Sequence, residues 1–148
     1  MTDPADGPAE VPAGIAHDVV NPSTLVKPSG FSHAVVSYGG RVVWLAGQTA
    51  LDAGGTVVGA GDVVAQYDRA LRNLLTALDE TGGRPEDLVS MTTYILDMDD
   101  YRAHARELGR VWKSLMGDHF PAMAAVGVTR LWDREALVEV QGVAVLPG

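Results

Sequence analysis

Only two stretches of this chain carry the spacing of an amphipathic helix, and each has one apolar side. Val63, Tyr67, Leu71, Leu74 and Leu78 recur at intervals of three and four, the spacing that returns side chains to one helix face. Asp62 stands before this stripe as an N-cap, and Gly82-Gly83 followed by Pro85 ends it. Gln66, Arg69, Arg72, Asn73 and Thr76 fall mostly off the stripe, and the basic residues, interleaved with acids, read as a solvated helix face. The second helix is expected from a cap at Asp99 or Asp100 through Met116, with Tyr101, Leu108, Val111, Trp112 and Leu115 available for its buried side. Two helices of this kind suffice to cover one face of one sheet.

The remaining runs favour strands. Ile15 to Val20 reads as an edge strand stopped by Asn21-Pro22, and Ser23 to Gly30 as a loop. Ser32 to Tyr38 and Arg41 to Gln48 flank Gly39-Gly40, a pair that accepts the positive φ of a tight turn, so a hairpin between these runs is predicted. Asp52 to Gly61, with Gly54, Gly55, Gly59 and Gly61, reads as a loop or a small second hairpin. LVSMTTYIL over Leu88 to Leu96 suits a buried central strand. Ala122 to Val128 and Ala136 to Val145 complete the order β-β-β-α-β-α-β-β, an α+β sandwich over residues 15–148. Its second sheet face has no helix to cover it, so association through that face is expected.

Composition excludes several functions. The chain has 148 residues, the size of one domain, and no cysteine, so neither a thiolate nucleophile nor a cysteine metal site exists. A net charge of −8 with bases and acids interleaved opposes nucleic-acid binding. No apolar run approaches the roughly 20 residues of a membrane span. Residues 1–14 lack the basic and apolar regions of a signal peptide and read as a disordered leader, so a cytoplasmic location is expected. His17, His33, His104 and His119 are too scattered for a metal pair, and no metal is expected. Ser32, Ser37 and Ser90 lack a nucleophile-elbow context, and Gly54 to Gly61 does not match a phosphate loop.

Six segments, in order, resemble one family pattern: PSGFSHAVV (Pro28 to Val36), WLAGQ (Trp44 to Gln48), QYDRALRNLLTALDETGG (Gln66 to Gly83), DLVSMTTYILDMDDY (Asp87 to Tyr101), FPAMAAVGVTRL (Phe120 to Leu131) and LVEVQGVAV (Leu137 to Val145). The chain resembles the Rid family (reactive-intermediate deaminase, or YjgF, with L-PSP endoribonuclease-like relatives) over about Ile15 to Leu146. The resemblance implies a chorismate-mutase-like subunit and a homotrimer whose sheets face inward as a barrel-like core. It also implies small-molecule clefts between subunits. In the best-known branch those clefts hydrolyse enamines and imines, such as 2-aminoacrylate, to 2-keto acids and ammonia without a cofactor.

Carried onto this chain, the resemblance places Phe31, Ser32, His33, Ala46, Gly47, Gln48, Met123, Ala124 and Gln141 at the cleft. Four positions depart from the branch. Met123 stands where an Arg grips the substrate carboxylate, and Gln141 where an acid handles water. Phe31 replaces a Tyr, and Ala46 a Ser. Met123 either marks a preference for an uncharged ligand or simply fills space. Gln141 can orient a water but cannot take its proton, and is otherwise a structural hydrogen-bonding residue. Glu139, on the same strand face, reads as a salt-bridge partner, and His33 as a loop histidine or a proton shuttle. Three functions follow: hydrolysis of an imine or enamine other than the usual 2-imino acids, non-catalytic binding of a neutral or apolar metabolite by a trimer, or a ribonuclease or translation inhibitor, which the charge opposes.

Overall fold

The apolar stripe beginning at Val63 forms a helix of 17 residues, Val63–Asp79 (α1), whose first turn is held by Asp62: its carboxylate accepts from the backbone N–H of Val64 and Ala65. Leu71, Leu74 and Leu78 on α1 are fully buried, each worth about 1.5–3 kcal/mol of apolar transfer. In this computed structural model, residues 17–148 are described. The leader expected over residues 1–14 and the first two residues of the expected edge strand lie outside them.

Six strands form among the described residues: β1 (His17–Val20), β2 (Ala34–Ser37), β3 (Arg41–Gln48), β4 (Leu88–Ile95), β5 (Ala122–Gly127) and β6 (Val138–Leu146). With α1 and the helices α2 (Met98–Ala103) and α3 (Ala105–Met116), they give the expected α+β order, with the second helix in two pieces. A four-stranded sheet runs β3-β6-β4-β5, antiparallel except for the parallel β4–β5 pair. The β1-β2 ribbon abuts its β5 end through a parallel bridge between Ser32 and Ala122. There Ser32 N–H donates to the Pro121 carbonyl at 3.0 Å and its hydroxyl to the Phe120 carbonyl at 2.5 Å.

The hairpin expected across Gly39-Gly40 does not form, because β2 pairs with β1 and β3 pairs with β6. Both glycines do have positive φ, 69° and 95°, but the turn carries the chain from one sheet to the other. Gly40 also passes so close to β6 that a Cβ there would overlap the Leu146 carbonyl. The second helix is broken at His104, and its cap is Asp97, which accepts from Asp100 N–H; Asp99 and Asp100 sit in the first turn. Asp52 to Gly61 forms the small hairpin, bridged at Leu51 and Val57.

Gln66 lies off the apolar stripe. It is fully buried: its amide NH₂ donates to the Gly59 and Glu135 carbonyls at 3.2 and 2.9 Å, and its amide oxygen accepts from Leu137 N–H at 2.8 Å. One side chain thus ties α1 to the loop before it and to the start of β6. Asn73 likewise donates to the Thr49 and Leu51 carbonyls. Gln66→Leu keeps bulk but strips the side-chain partner from the Glu135 carbonyl and the Leu137 N–H, while the Gly59 carbonyl keeps its bond from Asp62 N–H. It is expected to lower stability by about 3 kcal/mol, since each unsatisfied buried group costs roughly 1–3 kcal/mol. Urea denaturation checks this: the midpoint should fall with an unchanged m-value.

Candidate functional site

Strand alternation sorts the candidate residues between two faces. On β4, Met91, Thr93 and Ile95 are buried toward the helices, while Ser90, Thr92 and Tyr94 face the open side. The register Met91–Met123 and Thr92–Ala124 carries this division to β5, and Thr92–Gln141 carries it to β6. Met123 therefore shares the side of the helices, and Gln141 the open side. Within one chain these two residues do not meet.

The helix side holds a cleft of about 600 Å³ beyond the end of the helix layer. Residues 29–31 form one lip, α2 and α3 another, and β5 with Thr93 of β4 the floor. Its walls are aromatic: Phe31, Tyr67, Tyr101, Trp112 and Phe120, with Leu108 and Met123 between them. Trp112 and Phe120 stack at 5.7 Å with an interplanar angle of 9°, and Trp112 Nε1–H donates to the His119 carbonyl. His119 in turn bonds the Leu88 carbonyl through Nε2, so this wall is anchored to β4. Lys113 stands at the cleft with its side chain 64% exposed and already paired with Asp118.

Of the sequence-predicted residues, Phe31, Met123 and Ala124 line this cleft. The same three join Ser32 and His33 in an adjoining groove of about 340 Å³. Ala46 and Gln141 line a separate depression on the open face, about 450 Å³, beside Trp44 and Thr92. Gly47 and Gln48 line none of these; Gly47 lets the Glu139 carboxylate pack where a Cβ would stand. Glu139, expected in a salt bridge, forms none among the described residues. Gln141 Oε1 accepts from Tyr94 OH at 2.9 Å. His33 Nε2 lies 2.8 Å from the Val26 carbonyl, which can only accept, so that nitrogen carries the proton and pins the preceding loop. Its ring meets Phe31 edge-on at 5.1 Å.

Sequence reasoning missed the cleft's hydroxyls: Tyr67, Tyr101 and Thr93. Tyr67 was visible as a member of the buried stripe, and its hydroxyl was the available signal. Tyr67 and Tyr101 meet edge-on at 6.0 Å. Burial pushes the Tyr67 phenol well above its ordinary value, with Tyr101 adding to the shift, and burial also raises Tyr101. Both are neutral hydroxyls at physiological pH. No cluster of three or more His, Cys, Asp or Glu suited to a metal exists among the described residues. No helix among them is long and apolar enough to cross a membrane.

The family model described as Endoribonuclease L-PSP matches residues 23–146. A RutC family protein of Synechocystis is 35% identical over 131 residues, covering 87% of this chain and 96% of that protein. A mouse protein named 2-iminobutanoate/2-iminopropanoate deaminase is 30% identical over 105 residues, 71% of this chain and 74% of its own length. The crystal structure of a conserved Rid family protein of unknown function from Yersinia pestis superposes with a TM-score of 0.81 at 34% identity, covering 89% of this chain and all of that one.

The raised Tyr67 phenol has a consequence for stability. A folded-state value above the ordinary 10.0 means that the stabilisation is fully present below pH 10 and is lost as pH rises through the folded value. Wild-type stability is therefore expected to decline above about pH 10, and Tyr67→Phe to flatten that decline. Chemical denaturation over an alkaline series, with phenolate absorbance followed in parallel, is the check.

Proposed function

Because the chain belongs to the Endoribonuclease L-PSP family, which includes the Rid and YjgF proteins, we propose that it is a small-molecule protein of that family whose cleft takes an uncharged, largely apolar ligand in place of a 2-imino acid. One observation carries the reading. Met123 stands among aromatic rings, and Lys113, the one cation among the described lining residues, is exposed and paired with Asp118. A carboxylate placed deep in this cleft would meet no compensating charge, and burying an unpaired carboxylate is costly.

A second reading is supported by the deaminase name of the mouse relative: hydrolysis of a neutral imine or enamine, by a water that cleft hydroxyls orient and without a cofactor. The ribonuclease role implied by the family description is disfavoured by the net charge of −8.

A homotrimer is part of the same proposal. The open sheet face carries Trp44, 79% exposed, with Val42 52% exposed beside it. An exposed indole on a strand face is the kind of surface that association covers. A cleft holding both Met123 and Gln141 would draw them from two subunits, since in one subunit they lie on opposite faces.

Two measurements test these readings. With 2-iminopropanoate generated in situ, its decay is expected to match the buffer rate, because a lost positioning donor costs about 10²–10³ and a lost acid–base group about 10²–10⁴ in rate. A rate like that of an authentic deaminase would refute the uncharged-ligand reading. Light scattering with in-line chromatography is expected to give three times the subunit mass, and Trp44→Glu to shift it toward one. A wild-type monomer at micromolar concentration would refute the assembly.

A further inference from the structure

Thr93, a residue of the cleft floor, carries a buried polar atom that the family pattern and the readings above leave unassigned. Thr93 is 1% exposed and sits in the middle of β4, facing the helices. Its Oγ1 is buried and has no hydrogen-bond partner among the described residues. Most buried hydroxyls find a partner, because leaving one without is unfavourable. The same residue lines the cleft, beneath walls formed by Phe31, Tyr101 and Trp112.

We propose that Thr93 is the specificity-determining anchor of this cleft, and that the ligand it selects is an aromatic ring bearing one uncharged hydroxyl or amino group. The rings of the walls offer offset-stacked and edge-on partners to a planar ligand. The cleft volume lies within the range of small-molecule sites. Thr93 Oγ1 is both donor and acceptor, so it pairs with a phenolic O–H or an anilinic N–H without a charge on either side. A ring lacking such a group leaves the hydroxyl unsatisfied, and one with a carboxylate brings a charge the floor does not match. This inference rests on the cleft being a ligand site, and it adds the class of ligand.

The experiment compares phenol with toluene, two rings of similar size, by calorimetric or ligand-observed NMR titration of the full-length protein. Wild type, Thr93→Val and Thr93→Ser are used. Thr93→Val keeps shape and branching while removing the hydroxyl, and Thr93→Ser keeps the hydroxyl. The phenol-to-toluene affinity ratio is expected to fall about three- to tenfold in Thr93→Val, the worth of one neutral hydrogen bond, with toluene affinity unchanged. Thr93→Ser should hold the wild-type ratio. A ratio unchanged in Thr93→Val overturns the anchor while the cleft stands as a ligand site. Failure of both rings to bind wild type overturns the cleft reading and the anchor with it. A second measurement needs no variant: phenol should shift the Thr93 amide and methyl resonances of the wild type more than toluene does, and equal shifts would count against the anchor.

Discussion

Strand β6 is paired on both sides, with β3 and β4, while α1 lies across one of its faces. Its residues Val138, Val140, Ala144 and Leu146 are buried toward that helix. Alternation then commits Glu139, Gln141 and Val143 to the other face. A slip of one residue would exchange the two sets and expose the core, so the register is strongly specified. Gly142 adds a local constraint, since a Cβ there would come within 3.1 Å of Leu88 Cδ2 and the Ser90 carbonyl oxygen. Through the ladder to β4 and on to β5, the same register decides that Thr93 and Met123 look toward the helices and Gln141 away. The division of the candidate site into two faces is thus a consequence of core packing.

The cleft exists because the helix layer stops short of the sheet's parallel edge. Helix α1 covers β3 and β6, and α3 packs on α1, but β5 is only partly roofed. What roofs it is supplied from elsewhere in the chain. Ser32 bonds to the Pro121 and Phe120 carbonyls and brings residues 29–31 over the strand, while the Trp112–Phe120 stack closes the other side. The break at His104 separates α2 from α3, and residues on both sides of it, Tyr101 and Ala105, reach the cleft.

What the sequence revealed and what it hid divide along physical lines. The stripe of α1 was readable because five apolar residues at helical spacing have one economical explanation, and all five are buried. The Gly39-Gly40 turn was readable as a turn, but φ preferences are local and say nothing about which strand lies alongside; β6, a hundred residues later, took the place beside β3. The burial of Gln66 was not legible from its place off the stripe, because its three hydrogen-bonding partners come from loops that only the fold brings together. Capping by Asp97 could not be separated from Asp99 or Asp100 by composition, since all three precede the helical pattern. Phe31 and Met123 were linked by family resemblance and do line one cleft. Thr93 carried no signal at all: threonine in an apolar strand is an ordinary β-former, and its missing partner is a property of three dimensions.

The chemical character of the cleft follows from what it penalises as much as from what it attracts. Burial holds its hydroxyls at Tyr67 and Tyr101 neutral, so they can donate to a ligand but supply no phenolate base near neutral pH. Met123 adds a polarisable thioether that packs well against rings and offers almost no hydrogen-bonding capacity. Lys113 could in principle attract an anion, yet its exposure screens it and Asp118 already neutralises it. An incoming carboxylate would have to surrender its water to surroundings that return little, whereas a neutral ring gives up little hydration and gains dispersion contacts on several sides. On the proposed reading, selectivity against anions would need no repulsive charge in this cleft: desolvation against aromatic walls would supply it, and the hydroxyls of the lining residues would decide among the neutral compounds that remain.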